Sequence, residues 1–146
     1  VGTVLADLHE EWIRHVAHVL RPILDEHADF WSRWAGVRFL ADEFSDHFRL
    51  ECRLLDALGS EMPAEAAGAL AAAQTGIERT AVALMAAGRR RGTRQLTARL
   101  ARRLVDQLAL WCVEVELATA NVADADLPPA ARALLSRLRV AVAAGR

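Results

Sequence analysis

Apolar residues recur at helical spacing along most of this chain, and that periodicity limits the fold more than any other feature of the sequence. The first run spans about residues 4–26 and places six apolar side chains on one helix face: Leu5, Leu8, Trp12, Val16, Leu20 and Ile23. Pro22 lacks a backbone donor, so we expect it to kink or shorten this helix. The run predicts an amphipathic helix that must bury one face against other elements.

Four further helices follow from the same pattern and from the turn residues between them. We expect the second helix to start between residues 29 and 33 and to end at Leu58, with Gly59 as its C-terminal cap. The third covers about residues 64–87, and the fourth runs from an N-cap at Thr93 to about residue 121. Pro128 and Pro129 suit the first turn of a short fifth helix that ends near residue 144.

Length and composition fit one all-α domain over residues 1–146. With only four prolines and eight glycines, the chain has little material for hairpins and strands. Four long helices joined by short loops predict an up-down-up-down four-helix bundle, with the fifth helix packed across one end.

Charge and hydropathy argue against several classes of partner. The formal net charge is −1, which gives no electrostatic reason to expect nucleic acid or an anionic membrane. No apolar run approaches the ~20 residues of a membrane span, and the N-terminal residues do not resemble a signal peptide, so we expect a cytoplasmic protein. Cys52 and Cys112 fall in helical stretches and are interpreted as buried thiols.

All five histidines lie before residue 48, and two of them fall on predicted core faces. His9 lies on the apolar stripe of the first helix, while His47 and Glu51 lie one turn apart on the inward face of the second. A carboxylate in an apolar interior must be paired, protonated or bound to a cation, because an isolated buried charge is very costly. These three residues are therefore the candidate functional cluster.

The segment 44–51, FSDHFRLE, resembles the second-helix His-x-x-x-Glu segment of the hemerythrin-like (HHE cation-binding) domain family. The triplet LHE around His9 resembles the first-helix histidine of that family, and the LPP ending before the fifth helix is also similar. The resemblance implies a four-helix bundle in which His9, His47 and Glu51 would be half of the ligands of a di-iron centre.

The second half of the chain departs from the family pattern. Matched by helix register, Gln74 stands at the position of the third-helix histidine, Trp111 at that of the fourth-helix histidine, and Val115 at that of the fourth-helix glutamate. Amide, indole and aliphatic side chains bind iron poorly or not at all. We therefore expect an incomplete di-iron site.

Three interpretations of the surviving cluster stay open. His9, His47 and Glu51 form an idle, mutually hydrogen-bonded polar cluster, or they hold a single iron or zinc ion in a metal-binding or redox protein. In the third, no cofactor is bound, and the bundle core holds a small, largely apolar molecule that is converted by acid–base chemistry, as in isomerisation, cyclisation or dehydration. We take the third as the leading hypothesis.

In the leading hypothesis His47 is the main acid or base, His9 assists and Glu51 orients or relays, since histidine titrates near neutral pH. Burial should raise the pKa of Glu51 unless the histidines are charged. We expect the ligand to contact Trp12, Phe44, Phe48, Gln74, Leu108, Trp111, Cys112 and Val115. A non-catalytic interaction module, with a possible homodimer, is the further alternative.

Other notable side chains are assigned to the surface. The spacing of His15, His18 and His27 scatters them around the helix and its following loop, and Trp31 and Trp34 flank the first inter-helix turn, where they are placed to cover one mouth of the bundle. The arginines between residues 89 and 103 are interpreted as a solvated loop and helix surface.

Overall fold

The computed structural model describes residues 2–25 and 27–144, and all regular structure within these two stretches is helical. The prediction of an all-α protein is therefore confirmed. The elements are α1 (Gly2–Leu24), α2 (Phe30–Phe39), a π-helical segment (Leu40–Phe44), α3 (Ser45–Ala57), α4 (Ala64–Gly88), α5 (Arg94–Thr119) and α6 (Pro129–Ala144), with 3-10 turns at Gly59–Glu61 and Asp124–Asp126.

The helix ends agree with the sequence pattern except in their capping. Residue 26, the predicted end of the first helix, lies outside the described residues, and α1 ends at Leu24, two residues past Pro22. Asp29 caps α2 by accepting a hydrogen bond from the Ser32 backbone N–H at 2.7 Å. The prediction that Gly59 caps the second helix is wrong, because Leu58 is the C-cap of α3 and Gly59 begins a 3-10 turn without the positive φ of a capping glycine.

The Thr93 side chain also differs from its predicted role. Thr93 holds the N-cap position of α5, but its hydroxyl makes no capping hydrogen bond to that helix. It donates instead to the carbonyls of Ala87 and Arg90, at 2.6 and 2.9 Å. The hydroxyl therefore satisfies the C-terminal end of α4 and fixes the loop between the two helices.

The helices pack around one apolar core. α5 contacts α1 and α4, α1 also contacts α2, and α2 contacts α4, while α6 packs against α3 and α1. Fully buried apolar residues come from every long helix, among them Leu20, Leu40, Leu84, Leu104 and Leu138. None of the helices in the described stretches is long and apolar enough to cross a membrane.

The π-helical segment interrupts what the sequence predicts to be one continuous helix. It continues from α2 into α3 with no intervening loop. The Ser45 hydroxyl donates a hydrogen bond to the Leu40 carbonyl at 3.2 Å. Between buried Leu40 and Phe44 it exposes three successive side chains, those of residues 41–43. Single π-turns within α-helices are frequent at functional sites.

Gly36 lies at the contact between α2 and α1, where space is too small for a side chain. A Cβ at Gly36 would lie 2.7 Å from Ile23 Cγ1 and closer still to Cδ1, and Ile23 is fully buried. Gly36→Ala should lower the free energy of unfolding by about 1–3 kcal/mol, because the packed core must shift to admit the methyl group. Urea unfolding followed by circular dichroism measures this change.

The matched control is Gly68→Ala on α4, where a Cβ would meet nothing within 4 Å. This change should raise stability by about 0.5–1 kcal/mol, since alanine is the better helix former. Equal effects at the two glycines would contradict the described packing of α1 on α2.

Candidate functional site

Glu51 is the centre of a polar cluster in the core. Its side chain is 1% exposed, and its two oxygens accept hydrogen bonds from three other side chains. His9 Nδ1 donates to Oε1 at 2.6 Å, His47 Nε2 donates to the same oxygen at 3.1 Å, and Trp111 Nε1 donates to Oε2 at 3.2 Å. Since a carboxylate only accepts, the ring nitrogens that face it are the protonated ones.

The donors come from different helices, and local sequence explains why they meet. His47 and Glu51 lie one turn apart on α3, His9 lies on the buried stripe of α1, and Trp111 lies on the buried stripe of α5. The predicted inward orientation of His9, His47 and Glu51 is confirmed, with exposures of 1, 8 and 1%. The structure thus brings the three sequence-predicted residues together and adds the Trp111 indole as a fourth member.

The pKa of Glu51 moves in the direction opposite to the sequence-based expectation. Burial opposes ionisation, but the charge on His9 and the hydrogen bonds from His47 and His9 outweigh it and lower the pKa of Glu51 to about 2. From the sequence, a raised pKa of Glu51 is expected unless the histidines are charged. The His9 charge, together with hydrogen bonding to the ionised form, thus outweighs the effect of burial.

Aromatic rings enclose the cluster. The Trp12 indole stacks on the His47 imidazole, with ring centroids 4.0 Å apart and planes inclined by 13°. Phe44 stacks on Trp12, and Phe48 lies between Phe44 and Trp111. This packing fixes the orientation of the His47 ring and keeps water from the Glu51 carboxylate.

The donor geometry does not fit a metal ion. Among the described residues, no three His, Cys, Asp or Glu side chains are placed so that they could hold one. Two imidazoles meet one oxygen of Glu51 at hydrogen-bond distances, and the second nitrogen of His9, Nε2, is buried without a partner on the far side of its ring. The three side chains therefore satisfy one another by hydrogen bonds, and Glu51 occupies the position that both imidazoles face.

A pocket of about 600 Å³ opens beside the cluster, between α1, the π-helical segment with its flanking turns, and the end of α6. The His47 imidazole and the Trp12 indole form part of its wall. The other lining residues are Glu11, Arg14, His15, His18, Phe39, Asp42, Glu43, Asp46, Leu50, Ala141, Val142 and Ala144. His47 is thus the cluster residue that both lines the pocket and bonds to Glu51.

The residues expected to line one ligand cavity lie instead in two separate pockets and in the packed core. Trp12 lies in the wall of the large pocket. Phe44, Phe48 and Gln74 line a separate pocket of about 360 Å³ on the α4 side, where the Gln74 amide donates to Glu78 at 3.1 Å. Leu108, Trp111 and Val115 are at most 1% exposed and pack in the core, and Cys112 is half-buried.

Sequence reasoning missed several residues of the large pocket. His15 and His18 were assigned to the surface, yet both line it, together with Asp42, Glu43 and Asp46. Helical periodicity marks the inward face but not a depression between two outward faces. The π-helical segment, which presents Asp42 and Glu43 to the pocket, has no residue signature that the sequence would reveal.

The remaining candidates offer no reactive group. Burial and the neighbouring Glu51 charge raise the pKa of Cys52 to about 12, and burial also raises the pKa of Cys112, so neither thiol ionises readily. Trp31 is 70% exposed, Trp34 is half-buried, and both rings contact Phe30 at the start of α2.

Comparison of the chain with family models, with curated protein sequences and with solved structures gives no match. The resemblance to hemerythrin-like domains therefore depends on the residues of the chain alone.

The lowered pKa of Glu51 predicts how stability depends on pH. The pKa falls from 4.5 to about 2 on folding, so the ionised carboxylate stabilises the folded state fully above pH 4.5, and this contribution is lost as the pH falls towards 2. Its size is about 3 kcal/mol. The stability advantage of the native chain over Glu51→Gln should shrink by that amount across this interval, as measured by urea unfolding at a series of pH values.

Glu116→Gln, on the exposed face of α5, is the control and should keep a nearly constant difference from the native chain. A gap between the native chain and Glu51→Gln that stays constant or widens on acidification would show that the carboxylate is not ionised in the core.

Proposed function

We propose that this chain is a hemerythrin-like bundle without a di-iron centre, which binds a small organic molecule in the pocket beside His47 and exchanges protons with it. The proposal rests on one observation, which is that His47 belongs both to the pocket wall and to the buried Glu51 cluster. Its imidazole lines a pocket of about 600 Å³, and its Nε2 is hydrogen-bonded to a buried carboxylate. A pocket of this size holds a small organic ligand.

The bundle arrangement is itself part of the proposal. The contacts of α1 with α2 and α5, of α5 with α4, and of α4 with α2 join four helical positions in a closed ring. Successive helices with short connections alternate in direction in such a ring, which is the up-down-up-down order. The packing of α6 on α3 and α1 suits the expected fifth helix at the end of the bundle.

The acid–base role follows from the proton positions. Glu51 holds a proton on Nε2 of His47, so Nδ1 is the basic atom of the neutral ring. In the proposed reaction Nδ1 takes a proton from the bound molecule, and Glu51 stabilises the resulting imidazolium. The proton then returns to another atom of the same molecule, as in isomerisation or cyclisation, or to a leaving hydroxyl that departs as water, as in dehydration.

His9 has a supporting role in this scheme. It bonds to the same oxygen of Glu51 but is not among the residues that line the pocket. Its hydrogen bond keeps the Glu51 carboxylate ionised and oriented towards His47. His9 therefore acts through Glu51 and does not touch the bound molecule.

The pocket wall indicates the class of ligand. Trp12, Phe39, Leu50 and Val142 supply apolar surface, while Asp42, Glu43 and Asp46 place carboxylates along the wall. This combination favours a largely apolar molecule that is neutral or positively charged, because an anion would meet like charge. The ligand of this proposal is still a small, largely apolar molecule, and its proposed site is this pocket at the side of the bundle.

Three indole probes of different charge test the pocket. We expect tryptamine and indole to bind more tightly than indole-3-acetate, with chemical-shift changes at the Trp12 and His47 resonances in a two-dimensional NMR titration. His47→Gln should weaken binding of indole by up to about tenfold, the effect of one lost hydrogen-bonding group. His27→Gln, an exposed histidine outside the pocket, is the control and should bind normally.

Deuterium exchange at the α-carbon of cyclohexanone in D2O tests the proton transfer itself. The native chain should accelerate the exchange and His47→Gln should remove about a hundredfold or more of that acceleration, the usual contribution of a positioned base. The absence of any acceleration together with normal probe binding would reduce the proposal to a binding protein. Near-stoichiometric iron or zinc in the purified chain, lost in His47→Ala, would contradict the metal-free proposal and favour the single-ion alternative.

A further inference from the structure

Arg33 on α2 carries a positive charge in the interior of the protein. Its side chain is 2% exposed, and among the residues that the structure describes Nε and Nη1 have no hydrogen-bond partner. An arginine side chain does not lose its proton inside a protein. Because an unpaired buried charge is very costly, an anion that reaches these two nitrogens would stabilise the folded chain.

The neighbour of the Arg33 guanidinium group is an aromatic ring. Its Cζ lies 6.0 Å from the centroid of the Phe30 ring. A ring face attracts a cation, but it does not replace the hydrogen bonds that Nε and Nη1 lack. The carboxylate of Asp29, four residues before Arg33, accepts instead from the Ser32 backbone N–H at 2.7 Å.

A second guanidinium group approaches the same ring from the loop between α4 and α5. Arg91 is exposed, and its Cζ lies 4.9 Å from the Phe30 centroid. Arg94 is also exposed, and its charge, after the larger effect of the Ser32 hydrogen bonds, contributes to lowering the pKa of Asp29. Arginines therefore outnumber carboxylates where the described start of α2 lies beside this loop.

We propose that Arg33 and Arg91 form a binding site for a phosphate group at the edge of the Phe30 ring, with Arg94 beside it. Guanidinium groups donate pairs of parallel N–H bonds to oxyanions. A phosphate group carries up to about two negative charges near neutral pH. It therefore matches the surplus of arginine better than the single charge of a carboxylate ligand would.

Movement of Arg91 gives the anion access to Arg33. Arg91 is an exposed side chain on a loop, and a cation–π contact at an exposed position is weak, so its guanidinium group can leave the ring readily. The anion then accepts from Nε and Nη1 of Arg33 on one side and from Arg91 on the other. Neither arginine lines the pocket beside His47, so this site is independent of the proposed acid–base chemistry.

Thermal unfolding in sodium phosphate and in sodium chloride of equal ionic strength tests the site. Millimolar phosphate should raise the Tm of the native chain, because an anion that binds only the folded state stabilises it. Arg33→Met should lose this shift, since methionine has no group that donates to the anion. Arg38→Met, which changes an exposed arginine on the same helix, is the matched control and should keep the shift.

Isothermal titration calorimetry with inorganic phosphate measures the affinities. Arg33→Met should weaken binding by about tenfold or more, the effect of lost hydrogen bonds to a charged group. Arg91→Met should weaken it by up to about fivefold, because Arg91 is exposed. Phenyl phosphate distinguishes the source of the anion, and both results support the site: tighter binding than inorganic phosphate identifies an organic phosphate monoester, and weaker binding identifies free phosphate.

The Nε–H resonance of Arg33 in a two-dimensional NMR spectrum reports on the site in the native chain. It is assigned by its absence in Arg33→Lys, which keeps the positive charge, and it should shift as inorganic phosphate is added. A native chain in which phosphate moves neither the Tm nor this resonance would overturn the proposal. Phosphate binding that Arg33→Met and Arg33→Lys leave intact would also overturn it, because it would show an adventitious ion only, held by the surface arginines.

Discussion

The buried carboxylate of Glu51 is the constraint on which the rest of the site depends. An ionised group at 1% exposure is tolerated only because donors from three helices meet it, His9 from α1, His47 from α3 and Trp111 from α5. Removing one partner of such a buried cluster typically costs about 3–5 kcal/mol, because it leaves uncompensated charge in the core. The carboxylate therefore fixes the relative positions of α1, α3 and α5 as well as the two imidazole rings.

His47 connects this constraint to the solvent side of the molecule. Its ring is held between the Trp12 indole, at 4.0 Å, and the Glu51 carboxylate, at 3.1 Å, and it also forms part of the pocket wall. The π-helical segment one turn before His47 presents Asp42 and Glu43 to the same pocket. A buried charge, an oriented imidazole and an acidic pocket thus follow one another from the core outwards.

The sequence predicts the helices and the inward cluster well, because both depend on periodicity. Helical spacing placed His9, His47 and Glu51 on core faces, and it placed Trp111 and Val115 on the core face of α5. The sign of the Glu51 pKa shift was not predictable, because it depends on whether two imidazoles on different helices lie within hydrogen-bond distance. The specific bundle order and its hemerythrin-like ancestry stay predictions.

Other features could not be predicted from the sequence, each for a different physical reason. A π-helical turn contains about one residue more than an α-helical turn, and this difference has no signature in the amino-acid composition. The Thr93 hydroxyl can bond either to the first turn of α5 or to the carbonyls at the end of α4, and tertiary packing decides which bond forms. The large pocket depends on where α6 lies against α1 and the π-helical segment, so His15 and His18 became lining residues through a long-range contact that no local pattern describes.

The carboxyl ¹³C chemical shift of Glu51, followed by NMR as the folded protein is acidified, tests the central claim most directly. The signal is assigned by its absence in Glu51→Gln. The cluster described above predicts an ionised carboxylate from neutral pH down to a transition near the pKa of about 2. A transition at or above 4.5, the ordinary pKa of a glutamate, would show a neutral carboxyl group in the core and would contradict this description of the site.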